Sequence, residues 1–177
     1  MNFDLYEEYA LLGAFYDDAE AVLAWPDDVL FRVNEPVSAW SPAQHLYHIL
    51  RANGMMFKGI HLICQGHRLA VNEGAPNVAG HALLTQGRFP RGRMQAPESV
   101  VPPDEVSREA LENSMMRSRR KYAATEAFLP LIPEATGRIP HLYLGMLNAA
   151  EWLRLTRVHS RHHHSIMQDI VGQQETA

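Results

Sequence analysis

Apolar residues recur three and four positions apart over four separate stretches of this chain, and no strand-period pattern runs longer than residues 29–33. That spacing lines apolar groups along one face of a helix, so it predicts amphipathic α-helices that must pack on one another. The first stretch covers about 3–24, with Leu5, Tyr9, Leu12, Tyr16, Ala19 and Leu23 as its stripe and Pro26 as its stop. The second opens on "AWSPAQHLYHIL". Ser41 is placed to cap it, Pro42 suits the first helical position, and Gln44 can close a capping box. It should continue to about 65 with His45, His48, Ala52, Met55, Gly59, Leu62 and Ile63 facing inward. Gly54 and Gly59 weaken it by propensity, so packing has to hold it. The third covers about 104–129, opening at Pro103 or Asp104; its stripe is Leu111, Met115, Ser118, Tyr122, Thr125 and Leu129, and Pro130 and Pro133 end it. The fourth covers about 147–172, with Asn148 as an alternative cap. Between the second and third, residues 66–103 hold five glycines and five prolines and show no sustained period. They read as a long surface excursion, and excursions of that length are often functional. The fold class expected is all-α, a four-helix bundle in one domain, 1–177.

Composition removes several function classes. The net charge of −4 is too mild and of the wrong sign for nucleic acid or an anionic membrane as the main partner. Cys64 is the one cysteine, so no internal disulfide forms, and a reducing cytoplasm fits best. The start, "MNFDLYEEYALLG", lacks the basic and apolar regions of a signal peptide, and no 18-residue apolar run is present to span a membrane.

The chemistry sits in the histidines. "RVHSRHHHSIMQDI" carries His159, His162, His163 and His164. At about 100° per residue, His159 and His163 fall in the apolar stripe with Trp152, Leu155, Ile166 and Ile170, whereas His162 lies at its edge, about 60° away, and His164 points toward water. An i, i+4 pair lets two imidazoles converge on one ion. His48 lies at the centre of the second stripe, with His45 one turn earlier. If those two helices are neighbours, His48 completes a set of three neutral imidazoles around Zn²⁺ or a similar borderline divalent ion, with a coordination position left open. One histidine on an apolar face is ordinarily a hydrogen-bonded core residue. Burying three without partners would be costly, which gives the metal reading its weight.

"WSPAQHLYHIL", followed far downstream by "HLYLGMLNAAEWLRLTRVHSRHHHSIMQDI", resembles the DinB-like (YfiT-like) superfamily of metal-binding four-helix bundles. Trp40 with His48 eight residues on matches its first motif, and His159 with His163 matches its histidine pair. "HLYLGMLNAAEW" and "FPRGRMQAPE" resemble an uncharacterised branch of that superfamily. The resemblance covers most of the chain from Trp40 onward. It implies a bundle, commonly a homodimer, with zinc or nickel held by His48, His159 and His163. It also implies either a hydrolase or an S-transferase using a low-molecular-weight thiol. His162 leaves a 159/162 register open, with 159/163 favoured by phase and by the family spacing.

A bound divalent ion would serve either chemistry, by ionising a water or by ionising a thiol. The residues leave that choice open, and a non-catalytic bundle, with the histidines in packing, metal storage or a dimer interface, stands as the alternative. No HExxH supplies a built-in glutamate base and no Glu-x-x-His points to a di-iron centre. Glu151, His45 and His162 are the available general bases, with His45 better suited to supporting the site. "RSRRKY" with Arg117, Arg119, Arg120 and Lys121 reads as a solvated helix face, or as an anion-binding mouth; Arg91 and Arg93 share that reading. Met55, Met56, Met115 and Met116 read as core or interface filler. Cys64 faces away from His48. His141 and Tyr143 read as packing at the entry to the fourth helix.

Overall fold

In the computed structural model, which describes residues 3–90 and 96–172, the clearest helix start in the sequence is fully formed. Ser41 Oγ accepts from Gln44 N at 3.3 Å and Gln44 Oε1 accepts from Ser41 N at 3.0 Å, with Pro42 opening the helix. The chain gives α1 (Leu5–Leu23), α2 (Asp27–Leu30), α3 (Pro42–Cys64), α4 (Val78–Gln86), α5 (Arg108–Thr125) and α6 (Ala149–Gly172). A two-stranded antiparallel hairpin, β1 (Ile139–His141) with β2 (Gly145–Leu147), precedes α6. The architecture is all-α in its main mass. Among the described residues no helix is long and apolar enough to cross a membrane.

Several boundaries differ from the sequence expectation. Helix α5 starts at Arg108 because Ser107, not Asp104, caps it by accepting from Ala110 N at 3.1 Å. It stops at Thr125 and the chain tightens into a 3₁₀ helix, Glu126–Glu134, which contains Pro130 and Pro133. Asn148 caps α6: its Oδ1 accepts from Glu151 N at 2.9 Å, while Glu151 Oε2 accepts from Asn148 N at 2.9 Å. Leu147 therefore belongs to β2. Residues 29–33 form no strand; 27–30 are a single helical turn. The excursion of 66–103 contains α4 and a 3₁₀ turn, Glu98–Val100.

The four long helices share one core. Helix α3 packs on α6 and α5, and α1 packs on α6 and α5. Contacts give the directions. His45 meets His163 and Gly59 meets Trp152, so α3 and α6 are antiparallel. Gly54 meets Lys121 and His61 meets Thr125, so α3 and α5 are parallel. A parallel neighbour must start where α3 started, about 34 Å back along a 23-residue helix. That return explains the length of the link between α3 and α5, and its last part runs beside the N-terminal end of α3.

Polar contacts fix how the helices seat. Tyr16 of α1 and Ser118 of α5 share a 2.6 Å hydrogen bond, Asn53 of α3 donates to Tyr16 Oη at 3.5 Å, and Asn53 Nδ2 donates to Ser160 Oγ of α6 at 3.0 Å. One buried network thus touches all four long helices. Tyr9 and Tyr122 stack at 4.3 Å and each hydroxyl donates to the other's backbone carbonyl, at 3.2 and 3.1 Å. Glu8, only 3 % exposed, takes Arg154 and Arg157 of α6 on its two oxygens. The hairpin turn lies so close to the start of α4 that Gly145, at φ 84°, has no room for a Cβ: one would sit 2.6 Å from Asn77 N.

Candidate metal centre

The ends of α3 and α6 that carry histidines meet because the two helices run antiparallel. His48 and His159 bring their Nε2 atoms to 3.1 Å. One ligand nitrogen from each of His48, His159 and His163 lies within 4.8 Å of the others, a set that could hold a metal ion. Two imidazole nitrogens on one tetrahedral Zn²⁺, bound at about 2.0–2.1 Å, stand about 3.3 Å apart. The spacing fits that demand.

Hydrogen bonds aim the rings. His48 Nδ1 is 3.0 Å from the Val100 carbonyl, which can only accept. Nδ1 therefore carries the hydrogen, and Nε2 offers its lone pair inward. His45 Nδ1 lies 2.9 Å from His163 Nδ1, and His45 Nε2 lies 2.9 Å from Ser38 Oγ. Ser38 Oγ also accepts from Trp40 N at 3.1 Å. A hydroxyl oxygen has two acceptor sites, so it accommodates His45 Nε2–H as well. In that tautomer His45 accepts from His163, and His163 Nε2 is free to bind. His159 Nδ1 is buried with no partner. Leaving it so costs about 1–3 kcal/mol, a cost that buried Trp152 Nε1 carries as well.

Surroundings hold the imidazoles neutral, the form that ligates. Burial first, then neighbouring histidines, drops His159 and His163 well below the usual histidine range, and His45 to about 3. Burial lowers His48 too, partly offset by its bond to Val100. Trp40 packs on His48 at 5.2 Å and on His45 at 5.4 Å, and Phe89 from the long link packs on His159 at 5.8 Å. A pocket of about 330 Å³ opens beside the cluster, lined by residues that include Gly87, Phe89, Arg161, His162 and Ser165.

The other residues singled out from the sequence fall as follows. His162 stays outside the three-histidine set, with its ring 5.1 Å from that of His163 and 5.3 Å from Phe89. The cluster therefore uses the 159/163 spacing. His164 does not face open water: α1 packs along that side of α6, placing Phe15 6.3 Å away and the Asp18 carboxylate at 3.7 Å. Glu151 is engaged by Asn148 and by Arg138 Nη1 at 3.0 Å, which withdraws it as a base. Cys64 is half-buried, and burial pushes its thiol up to about 11. His141 accepts from Tyr143 N at 3.2 Å and packs on Trp152 at 5.4 Å. Met56 and Met115 are core, whereas Met55 and Met116 are exposed. Arg119 is paired with Asp17 and Glu20. Arg91 and Arg93 lie outside the described residues. Three contributors were not foreseen. Ser38 lies seven residues before His45, Phe89 gave no periodic signal, and the Val100 carbonyl is backbone, which no residue pattern marks.

No family model, curated protein or solved structure matches this chain.

Proposed function

We propose that this protein is a metal-dependent enzyme on a four-helix bundle of the DinB-like kind. His48, His159 and His163 hold one divalent ion, zinc or nickel, and a low-molecular-weight thiol is transferred to a small electrophilic substrate. One observation carries the reading: two core-phased histidines from antiparallel helices meet at 3.1 Å, with the His48 ring turned by Val100 so that its lone pair faces inward. The resemblance of the Trp40–His48 and His159–His163 motifs to that superfamily supports it.

When bound, the ion would lower the pKa of a thiol or a water at its open position. The protein's part is to hold three neutral imidazoles, exclude water with Trp40 and Phe89, and offer the pocket beside His162. Thiol transfer is preferred to hydrolysis because no free carboxylate stands at the cluster among the described residues. Glu151 is committed to capping α6, and His45 is committed to His163 and Ser38. Hydrolysis would want a general base for water, a part that falls to His162 at the pocket wall once Glu151 and His45 are committed, whereas a thiol ionised by the ion needs none.

Metal analysis of protein purified without a histidine tag tests the site. About one equivalent of Zn or Ni per chain, lost in His48→Ala and His163→Ala and kept in His164→Ala, is expected. Equal loss in all three variants would reduce the cluster to a loose histidine patch. Metal-dependent consumption of a thiol with a small alkylating electrophile then tests the chemistry. Turnover of an ester substrate without thiol would assign hydrolysis instead.

A further inference from the structure

A second groove, of about 420 Å³, lies between α3 and α5, on helix faces that the histidine cluster does not use. Arg51, Arg117, Arg120 and Lys121 line it together with Leu50 and Met55, and no carboxylate is among the described residues that do so. Four cations around one groove are notable on a chain whose net charge is −4.

Two of the four are anchored without being neutralised. Lys121 Nζ donates to the Gly54 carbonyl at 3.1 Å, and Arg51 Nη2 donates to the Ser99 carbonyl at 3.3 Å. A carbonyl fixes position but supplies no counter-charge, so both side chains are held in place without an ion pair at that contact. Gly54 makes this possible: a Cβ there would press on Lys121 Nζ at 3.3 Å. A glycine in the middle of a helix costs about 1 kcal/mol relative to alanine, and here it leaves room for the lysine. Arg117 and Arg120 are exposed, one turn apart, and their guanidinium forks are free of described partners. The floor is apolar, with Leu50 buried and Met55 53 % exposed.

Planar guanidinium forks match the oxygens of a phosphate, and fixed cations from two helices suit a multiply charged anion better than a monocarboxylate. We propose that the groove between α3 and α5 binds a small phosphorylated molecule, its phosphate on Arg117 and Arg120 with Arg51 and Lys121 at the flanks, and its apolar part over Leu50 and Met55. The site stands on its own, independent of whether the histidines hold metal.

The test uses the full chain and pyrophosphate as the probe, followed by backbone amide NMR at constant ionic strength set with sodium chloride. Saturable shifts confined to amides around Gly54, Ser114 and Ser118 are expected, and the Arg117→Gln, Arg120→Gln double variant should weaken binding at least tenfold. Both positions are exposed, so an unchanged spectrum elsewhere verifies the fold. Shifts that do not saturate, or an affinity unaltered in the double variant, would overturn the proposal. So would tighter capture by a single-stranded RNA oligonucleotide or by vesicles bearing phosphatidic acid, since either would make the groove part of a surface for a larger partner.

Discussion

His45 is the most informative residue to change, because it separates three accounts of the metal centre. Its Nδ1 lies 2.9 Å from His163 Nδ1 and its Nε2 lies 2.9 Å from Ser38 Oγ. It touches one of the three prospective ligands and is itself only 3 % exposed. If it orients His163 without binding the ion, His45→Ala frees one ring of three to rotate and leaves the set of ligands complete. Loss of such a supporting partner costs about 10–100-fold in metal affinity, or about 1.4–2.7 kcal/mol. His48→Ala, by contrast, removes a ligand and should abolish tight binding. The assay is competition against a chromophoric chelator with tag-free protein, with urea unfolding of the metal-free variant to confirm that it folds. An affinity equal to wild type would refute the orienting role of the His45–His163 contact. A loss as complete as that of His48→Ala would make His45 a ligand, and the three-histidine set would be wrong.

Three further outcomes follow from the buried titratable groups. The folded pKa values of His45, His159 and His163 lie below that of an unfolded histidine, about 6.5. The unfolded chain therefore takes up protons first, and metal-free stability, full above about pH 6.5, is lost as pH falls below it; a urea midpoint equal at pH 7.5 and 5.5 would contradict this. Burial pushes Tyr16 up to about 12 from an unfolded value near 10. Stability present below pH 10 is then lost between 10 and 12, by up to about 3 kcal/mol, and Tyr16→Phe should flatten that part of the profile. Glu8→Ala leaves Arg154 and Arg157 facing each other across a buried site, and should cost about 3–5 kcal/mol in urea unfolding. A cost under about 1 kcal/mol would show the pair to be screened like a surface bridge.

How far the sequence could be read depended on the length of each element. Helix α3 was legible from its first residues because Ser41, Pro42 and Gln44 act locally, within one turn. The phase of His48, His159 and His163 was legible because long helices average out boundary errors. Helix α4 has nine residues and the hairpin strands three each, too few to repeat a pattern several times over, and both depend on contacts from distant chain, such as Asn77 N with the Leu144 carbonyl at 2.9 Å. Glu8 was missed because a carboxylate within a stripe reads as a boundary; only its two arginine partners, about 150 positions away, make its burial tolerable. His164 was misplaced because phase on one helix says nothing of what a neighbouring helix covers. The roles of His163 as prospective ligand and His45 as its support were legible from phase and from the family resemblance; what no residue pattern marks is the ring contact, Nδ1 to Nδ1 at 2.9 Å, through which that support acts.

The hydrogen-bonded set of Tyr16, Asn53, Ser118 and Ser160 also acts as a vernier for the site. Asn53 lies five positions beyond His48 on α3, and Ser160 directly follows His159 on α6. Sliding either rod by one notch, about 5.4 Å, would strand an amide or a hydroxyl in a dry interior, so the rods lock at one height. That lock holds the imidazoles of two distant segments level with one another.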